Sequence, residues 1–264
     1  MIEVQPLDAF WRSLGEHASP SCHVLLVDIS APGAPGHGPA ALRDLLCSAE
    51  RERLHRFRVA EAAWEYEASH VALRMALGRV LATPASEIRF RNPADPASPP
   101  EPIGAALREC RASLSHCRRF AAVAICHEQA VGVDVELLSQ AGEALGVVRQ
   151  FLSEAEMAEL SATPSEDRPE LALSAWCLKE AVLKSAGTGF QTDPRTVRLN
   201  IDPALRIGDE HAQVSIGDTH FWSAILKHPA APDACIALSL EHRRLPVLIC
   251  CATFHELVGI AAGS

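Results

Sequence analysis

The chain has 264 residues, 48% of them hydrophobic and 22% charged, which is the composition of a globular protein with one large or two modest domains. Its net charge of −9 argues against a general nucleic-acid-binding protein, because such proteins neutralise phosphates with Lys and Arg. Its nine cysteines are odd in number and irregularly spaced, so we predict reduced, mostly buried thiols rather than disulfides or a zinc site.

The first half of the sequence mixes apolar runs with helical patterns. Predicted in chain order are a buried strand at 22–30, a Gly/Pro loop at 31–39, helices at 40–57 and 61–81, a short strand at 88–90, a Pro-rich loop at 92–102, a segment at 113–116 that leads into a helical turn or loop, and a strand at 120–126. The apolar runs at 120–126 and 245–254 are too short to span a bilayer, and the N-terminus does not resemble a signal peptide. We therefore expect a soluble, cytoplasmic protein that does not bind membranes.

The second half has similar content. A hairpin turn at 127–129 leads to a strand at 130–137, and the capping-box pattern of Ser153 and Glu156 begins a helix that ends near residue 160. A second helix is predicted at 171–186, followed by strands at 196–201, 213–216, 220–227 and 235–240. These elements predict an α+β fold with a boundary near residue 128, and the predicted divisions are an N-terminal half (1–128), a C-terminal half (129–245) and a C-terminal extension (246–264).

Two carboxylates share one face of the strand at 130–137. Apolar and polar residues alternate, so three valines face the core while Gly132, Asp134 and Glu136 lie on the other face. Carboxylates two residues apart on a strand are about 6.6 Å apart, close enough to share a divalent cation. Gly132 is interpreted as open space for a ligand. The alternative is a strand face with two solvated acids.

A stripe of polar residues follows the helix at 171–186. Trp176, Glu180 and Lys184 are spaced i, i+4, i+8 and therefore lie along one side. Trp176 is most simply a core residue, and Glu180 with Lys184 could form an ordinary helical ion pair. Lys179 and Glu180 nevertheless interrupt an apolar helix, and a charged group near a core needs a partner, for which a metal ion is one candidate.

These two segments resemble the Sfp-type 4′-phosphopantetheinyl transferases, which are marked by a Gly-x-Asp-x-Glu strand and a Trp-x-x-Lys-Glu-Ala-x-x-Lys helix. Both patterns are present at 132–136 and 176–184. Weaker similarities occur in the family's order: ERERLHRF at 50–57, Leu114-Ser115-His116-Cys117, Phe151-Leu152-Ser153 with Glu156, and Gly187-Thr188-Gly189-Phe190.

The resemblance implies an enzyme of the holo-[acyl-carrier-protein] synthase type. Such an enzyme transfers the phosphopantetheine arm of coenzyme A to a serine of an acyl or peptidyl carrier protein, a transient partner, and releases 3′,5′-ADP. The implied fold is a pseudo-dimer of two similar α/β halves with coenzyme A in the cleft between them, so a monomer is expected. The resemblance does not identify the carrier, which could serve fatty-acid, polyketide or non-ribosomal peptide synthesis.

The resemblance also implies residue roles. By this resemblance, Mg²⁺, or Mn²⁺ instead, is held against the diphosphate by Asp134, Glu136 and Glu180, and Glu180 or a water takes the serine proton. Lys184, assisted by Lys179, stabilises the departing ADP. His116 with Ser115 contacts phosphate at the nucleotide end, and Arg53 and Arg56 bind the 3′-phosphate.

Two acids depart from the family pattern. Glu101 stands where the family has a cation near the nucleotide, and Glu65 stands where an Arg is common. Either another arginine supplies the charge or coenzyme A binds more weakly, and the candidate arginines are Arg51, Arg58, Arg74 and Arg118. One rival is a non-catalytic module that binds carrier protein or coenzyme A. Another is a different Mg²⁺-dependent nucleotide enzyme, although the sequence has neither a P-loop nor a Gly-x-Gly-x-x-Gly motif.

Overall fold

The computed structural model describes residues 1–16, 21–30, 40–91, 102–103, 110–127, 129–188, 191–202, 205, 211–242 and 245–262. The chain divides into two compact units. The first unit comprises 1–128 and 245–264, and the second comprises 129–244. The segment 246–264, expected to be an extension, thus contributes to the first unit.

In chain order the helices and strands are β1 (Ile2–Val4), α1 (Leu7–Leu14), β2 (Cys22–Asp28), α2 (Ala40–Arg43), α3 (Ser48–Leu54), α4 (Ala60–Leu81), β3 (Cys110–His116), β4 (Phe120–His127), β5 (Val131–Leu137), α5 (Ala141–Gly146), α6 (Glu154–Ala162), α7 (Arg168–Ser185), β6 (Val197–Arg198), β7 (His211–Ile216), β8 (Thr219–Leu226), β9 (Ala234–Leu240), β10 (Val247–Thr253) and α8 (Phe254–Ala262).

The first unit is built on a five-stranded sheet in the order β1-β10-β2-β4-β3. β10 lies parallel to both β1 and β2, whereas β4 is antiparallel to β2 and β3. The long helix α4 packs on β3 and β4 and also contacts α1 and α8. β2 and β4 are buried along nearly their whole length, as expected for continuous apolar strands with a helix layer over them.

A buried ion cluster joins α3 to α4. The fully buried Glu50 accepts hydrogen bonds from Arg74 Nε (2.8 Å) and from the backbone N–H of Cys47 (2.8 Å), and its other oxygen lies 3.0 Å from His70 Nδ1. Burial alone would raise the pKa of Glu50, but the hydrogen bonds from His70 and Arg74 lower it to about 2. Glu50 and Arg74 therefore stay charged inside the first unit. The hydrogen bond from the backbone N–H of Cys47 to Glu50 fixes where α3 begins.

The second unit is an antiparallel sheet in the order β5-β9-β8-β7-β6. Helix α7 packs on β5, β8 and β9 and is buried on nearly all sides. It ends in a Schellman motif: Gly187 has φ +70°, its N–H binds Lys184 O, and the N–H of Thr188 binds Leu183 O. Gly187 therefore ends the helix, as predicted.

Most predicted elements are confirmed, in particular β2, α4, β4, β5, α6, α7 and β7 to β9. The α+β class is also confirmed. The pseudo-dimer of two similar halves stays a prediction, because the first sheet contains parallel pairs and the second is antiparallel throughout. All nine cysteines are free and seven are buried, which confirms the predicted thiols.

Three local predictions were wrong. The expected helix at 40–57 is two helices, because the side chain of Glu50 caps the backbone N–H of Cys47 and starts α3 there. Phe90 forms only an isolated bridge with Pro102. β4 and β5 are not a hairpin, because they belong to different sheets. The predicted loop at 31–39 and most of the one at 92–102 lie outside the described residues.

Candidate functional site

Helix α7 crosses strand β5 at very short range, and Gly132 makes this contact feasible. A Cβ atom at Gly132 would lie 1.8 Å from the backbone oxygen of Ala181 and 2.6 Å from the backbone nitrogen of Ser185. The space at Gly132 is therefore filled by the helix, and the prediction that it is open to a ligand was wrong. The consequence is that the acidic face of β5 is pressed against the Trp176, Glu180, Lys184 stripe.

We expect Gly132→Ala to lower the free energy of unfolding by about 3 kcal/mol or more, because two backbones would have to separate. The matched control is Gly142→Ala in α5, where a Cβ meets nothing within 4 Å. That change should be neutral or stabilise by up to about 1 kcal/mol, as alanine is the better helix former. Urea denaturation of both variants measures the difference, and similar values would contradict the packing argument.

Asp134 is paired with Lys184. Lys184 Nζ lies 2.7 Å from Asp134 Oδ1 and donates a second hydrogen bond to Val133 O at 3.1 Å. Asp134 is only 4% exposed, whereas the Lys184 side chain is 24% exposed. Lys184 therefore joins helix α7 to strand β5 while part of its side chain stays accessible. The ion pair observed for Lys184 is thus with Asp134 on the strand, rather than the alternative pair with Glu180 on the same helix.

Glu136 and Glu180 complete the acidic group. Glu136 accepts a hydrogen bond from Trp176, and Glu180 is buried. Burial, followed by the negative charge of Asp134, raises the pKa of Glu136 to about 7. The same two causes raise the pKa of Glu180, while Lys184 opposes both shifts. The three carboxylates are thus close enough to repel one another, and Trp176 is both a packing residue and a hydrogen-bond donor.

The donor chemistry of this group suits a divalent cation. Carboxylate oxygens are the hard ligands that Mg²⁺ prefers, and a bound cation would relieve the mutual repulsion of Asp134, Glu136 and Glu180. Within the described part of the chain, however, no three His, Cys, Asp or Glu side chains are arranged closely enough to hold a metal ion. The acids are neighbours, with Lys184 supplying the positive charge beside Asp134.

The predicted nucleotide-side residues lie in the first unit. Ser115 is buried near the end of β3, and the neighbouring His116 is 37% exposed, with Nδ1 3.7 Å from Glu65 Oε2. Arg53 and Arg56 line a cavity of about 320 Å³ at the end of α3, and its other lining residues are Ala49, Glu52 and Phe57. Both arginines are thus placed where a small anionic group could bind.

The candidates for a replacement cation differ in their surroundings. Arg74 is fully buried and bound to Glu50, with further hydrogen bonds to Ala85 O and Ile88 O, so it cannot meet a ligand. The exposed residues are Arg51, which donates to Leu46 O, and Arg58 and Arg118. Glu101, Gly189 and Phe190 lie outside the described residues.

Comparison with known proteins identifies the second unit. Residues 130–238 match the family described as the 4′-phosphopantetheinyl transferase superfamily. A 4′-phosphopantetheinyl transferase from Bacillus subtilis is 24% identical over 160 residues, which is 60% of this chain and 67% of that protein. Residues 130–238 form a 4′-phosphopantetheinyl transferase superfamily domain. The match includes both β5 and α7, the two elements that bring the acids together.

Within this transferase domain Lys179 is a structural residue. Its Nζ lies 2.8 Å from Glu156 Oε2, 3.0 Å from Pro194 O and 2.6 Å from Val197 O, and the side chain is completely buried. All three of its N–H donors are therefore satisfied inside the fold. The expected contact of Lys179 with coenzyme A does not fit this geometry.

Nothing in the sequence indicates that Glu156 is the ion-pair partner of Lys179. Its carboxylate caps α6 by accepting hydrogen bonds from the backbone N–H and the hydroxyl of Ser153, and it also accepts the backbone N–H of Leu199. The capping box itself was predicted, so the signal for an acid near the core of the transferase domain was present. No local sequence pattern predicts that Glu156 on α6 pairs with Lys179 on α7.

None of the described helices has the length and apolar composition needed to cross a bilayer.

Proposed function

We propose that this protein transfers the 4′-phosphopantetheine arm of coenzyme A to a serine of an acyl or peptidyl carrier protein and releases 3′,5′-ADP. The observation that carries the proposal is the group formed by β5 and α7, in which Lys184 holds Asp134 and two further carboxylates lie beside it. Membership of residues 130–238 in the transferase superfamily supports the reaction class.

In the proposed reaction the acids have two tasks. Asp134, Glu136 and Glu180 are neighbours that would have to move closer together to hold Mg²⁺, with Mn²⁺ as a substitute, and the ion would then supply charge neutralisation at the diphosphate. The serine Oγ attacks the β-phosphorus of coenzyme A, the bond to the bridging oxygen breaks, and 3′,5′-ADP leaves. Glu180 takes the serine proton directly or through water.

Cations of the chain would bind the remaining phosphates. Lys184, partly accessible beside Asp134, is suited to stabilise charge on the departing ADP. Arg53 and Arg56 at the cavity of α3 would bind the 3′-phosphate. His116, with Ser115 next to it, would contact phosphate at the nucleotide end.

We expect Mg²⁺ to stabilise the protein more at pH 8 than at pH 5.5. Because the pKa of Glu136 is raised to about 7, the stability that Glu136 contributes to the metal-free protein is fully present below the ordinary carboxylate range and is lost as the pH rises through about 7. Between pH 5.5 and pH 8 this loss is on the order of 2 kcal/mol, and a bound cation should reverse it. Thermal melts with Mg²⁺ and with EDTA at both pH values measure this effect. Glu136→Gln should weaken the pH dependence, and an equal effect of Mg²⁺ at both pH values would contradict the prediction.

Intact-mass analysis of an apo carrier protein, incubated with this chain, coenzyme A and Mg²⁺, tests the proposed function. The expected result is a mass gain of one phosphopantetheine arm that EDTA prevents. Binding of coenzyme A without any mass gain, across carriers of the fatty-acid, polyketide and peptide types, would instead favour a non-catalytic binding module.

A further inference from the structure

The single tyrosine of the chain lies behind the cavity at α3. Tyr66, on α4, is 4% exposed. Its ring centroid is 5.4 Å from Arg53 Cζ and 5.3 Å from the ring centroid of Phe57. Arg53 and Phe57 both line the cavity, so two of the described residues that line it contact the same buried ring.

The ring of Tyr66 also contacts a histidine ring. The ring of His70 lies 4.1 Å from it, and His70 is bound through Nδ1 to the buried Glu50. Glu50 in turn accepts a hydrogen bond from Arg74 and caps the first turn of α3. The support for Tyr66 therefore continues into the ion cluster that joins α3 to α4.

The hydroxyl of Tyr66 contributes little to this arrangement. Among the described residues it has no hydrogen-bond partner although it is buried. A buried hydroxyl without a partner is a cost rather than a gain. The contacts to Arg53, Phe57 and His70 are all made by the aromatic ring, so the ring is the part of Tyr66 that these contacts require.

We propose that Tyr66 is a positioning residue that holds Arg53 in the orientation that binds the 3′-phosphate at the nucleotide end of coenzyme A. The inference rests on the proposed function and concerns the strength of binding, not the chemical step. A guanidinium over an aromatic face is attracted by the ring. Because a long arginine side chain otherwise loses much conformational freedom on binding a phosphate, holding it in place beforehand increases affinity.

The proposal predicts a difference between two substitutions at Tyr66. Tyr66→Leu, which removes the aromatic face, should raise the Kd for coenzyme A by about 3- to 10-fold and leave kcat at saturating coenzyme A unchanged. Tyr66→Phe keeps the ring and should restore the wild-type Kd. Calorimetry gives the Kd values, and thermal melts establish that each variant is folded.

Three further measurements separate positioning from general damage. In an Arg53→Ala background, Tyr66→Leu should have no additional effect on the Kd, because the positioned group is absent. Dephospho-coenzyme A, which lacks the 3′-phosphate, should bind wild type and Tyr66→Leu equally well. Arg53→Lys keeps the charge but loses the flat contact with Tyr66, and it should raise the Kd for coenzyme A about 3-fold. This last variant carries the test if Tyr66→Leu does not fold.

The outcomes distinguish this inference from the proposed function. Unchanged Kd values in Tyr66→Leu or in Arg53→Lys, or equal losses with and without Arg53, would overturn the role of Tyr66 while wild type still binds coenzyme A and modifies a carrier. The predicted Kd changes together with no transfer to any carrier would overturn the proposed reaction and leave the inference standing. A wild-type protein that does not bind coenzyme A would overturn both.

Discussion

Asp134→Asn should reduce transfer to a carrier protein at least about 100-fold while the protein remains folded. The substitution keeps the shape of the side chain and an oxygen that can accept the hydrogen bond of Lys184, but removes the negative charge that a metal ion would need. Stability should be preserved, because repulsion of Glu136 and Glu180 is relieved. The pKa of Glu136 should accordingly fall below its value of about 7.

The measurements for Asp134→Asn are the rate of mass gain of the carrier and the melting temperature of the variant. Glu143→Gln is the matched control, since Glu143 is an exposed acid of the same unit, on α5. It should transfer at the wild-type rate. If Asp134→Asn retains more than about a tenth of the wild-type rate, the assignment of Asp134 as a metal ligand is wrong.

Lys179→Met is expected to have the largest effect on stability, lowering the free energy of unfolding by about 3–5 kcal/mol. The substitution leaves Glu156 charged and buried without its ammonium partner, and it leaves the carbonyl groups of Pro194 and Val197 without that donor. Urea denaturation measures the loss. A double variant with Glu156→Gln should recover part of it, because the uncompensated charge is removed.

The control for Lys179→Met is Lys227→Met. Lys227 lies 3.7 Å from Glu170 with a 42% exposed side chain, and an exposed pair of this kind contributes at most about 1 kcal/mol. A loss in Lys179→Met no larger than in Lys227→Met would contradict the structural role. The Kd of Lys179→Met for coenzyme A, measured under conditions where this variant is folded, should equal that of wild type. A weaker Kd there would return Lys179 to the binding residues.

The elements of the site could be predicted from sequence because each has a local period. Alternation along β5 placed Asp134 and Glu136 on one face, and the spacing on α7 placed Glu180 and Lys184 along one stripe. The depth of their contact could not be predicted, because it depends on how closely two backbones approach. A glycine at position 132 is compatible with an open space or with a closely packed helix, and in the protein helix α7 packs there.

Contacts between residues that are far apart in the sequence could not be predicted either. The apolar run at 245–254 was visible, but its place as strand β10 between β1 and β2 depends on pairing with residues at the opposite end of the sequence. Tyr66 was overlooked for a similar reason. Its contacts with Arg53 and Phe57 cross from α4 to the end of α3, and a single aromatic residue in a helix gives no sign of which side chains it supports.

The position of β10 also has a consequence for synthesis on the ribosome. Among the described strands β1 pairs only with β10, so it has no partner among them until residues 247–249 have been made. The second unit is continuous in sequence and can complete its own sheet earlier. We therefore expect vectorial folding to finish the transferase domain first, and the two ends of the chain to meet only afterwards in a slow step of high contact order.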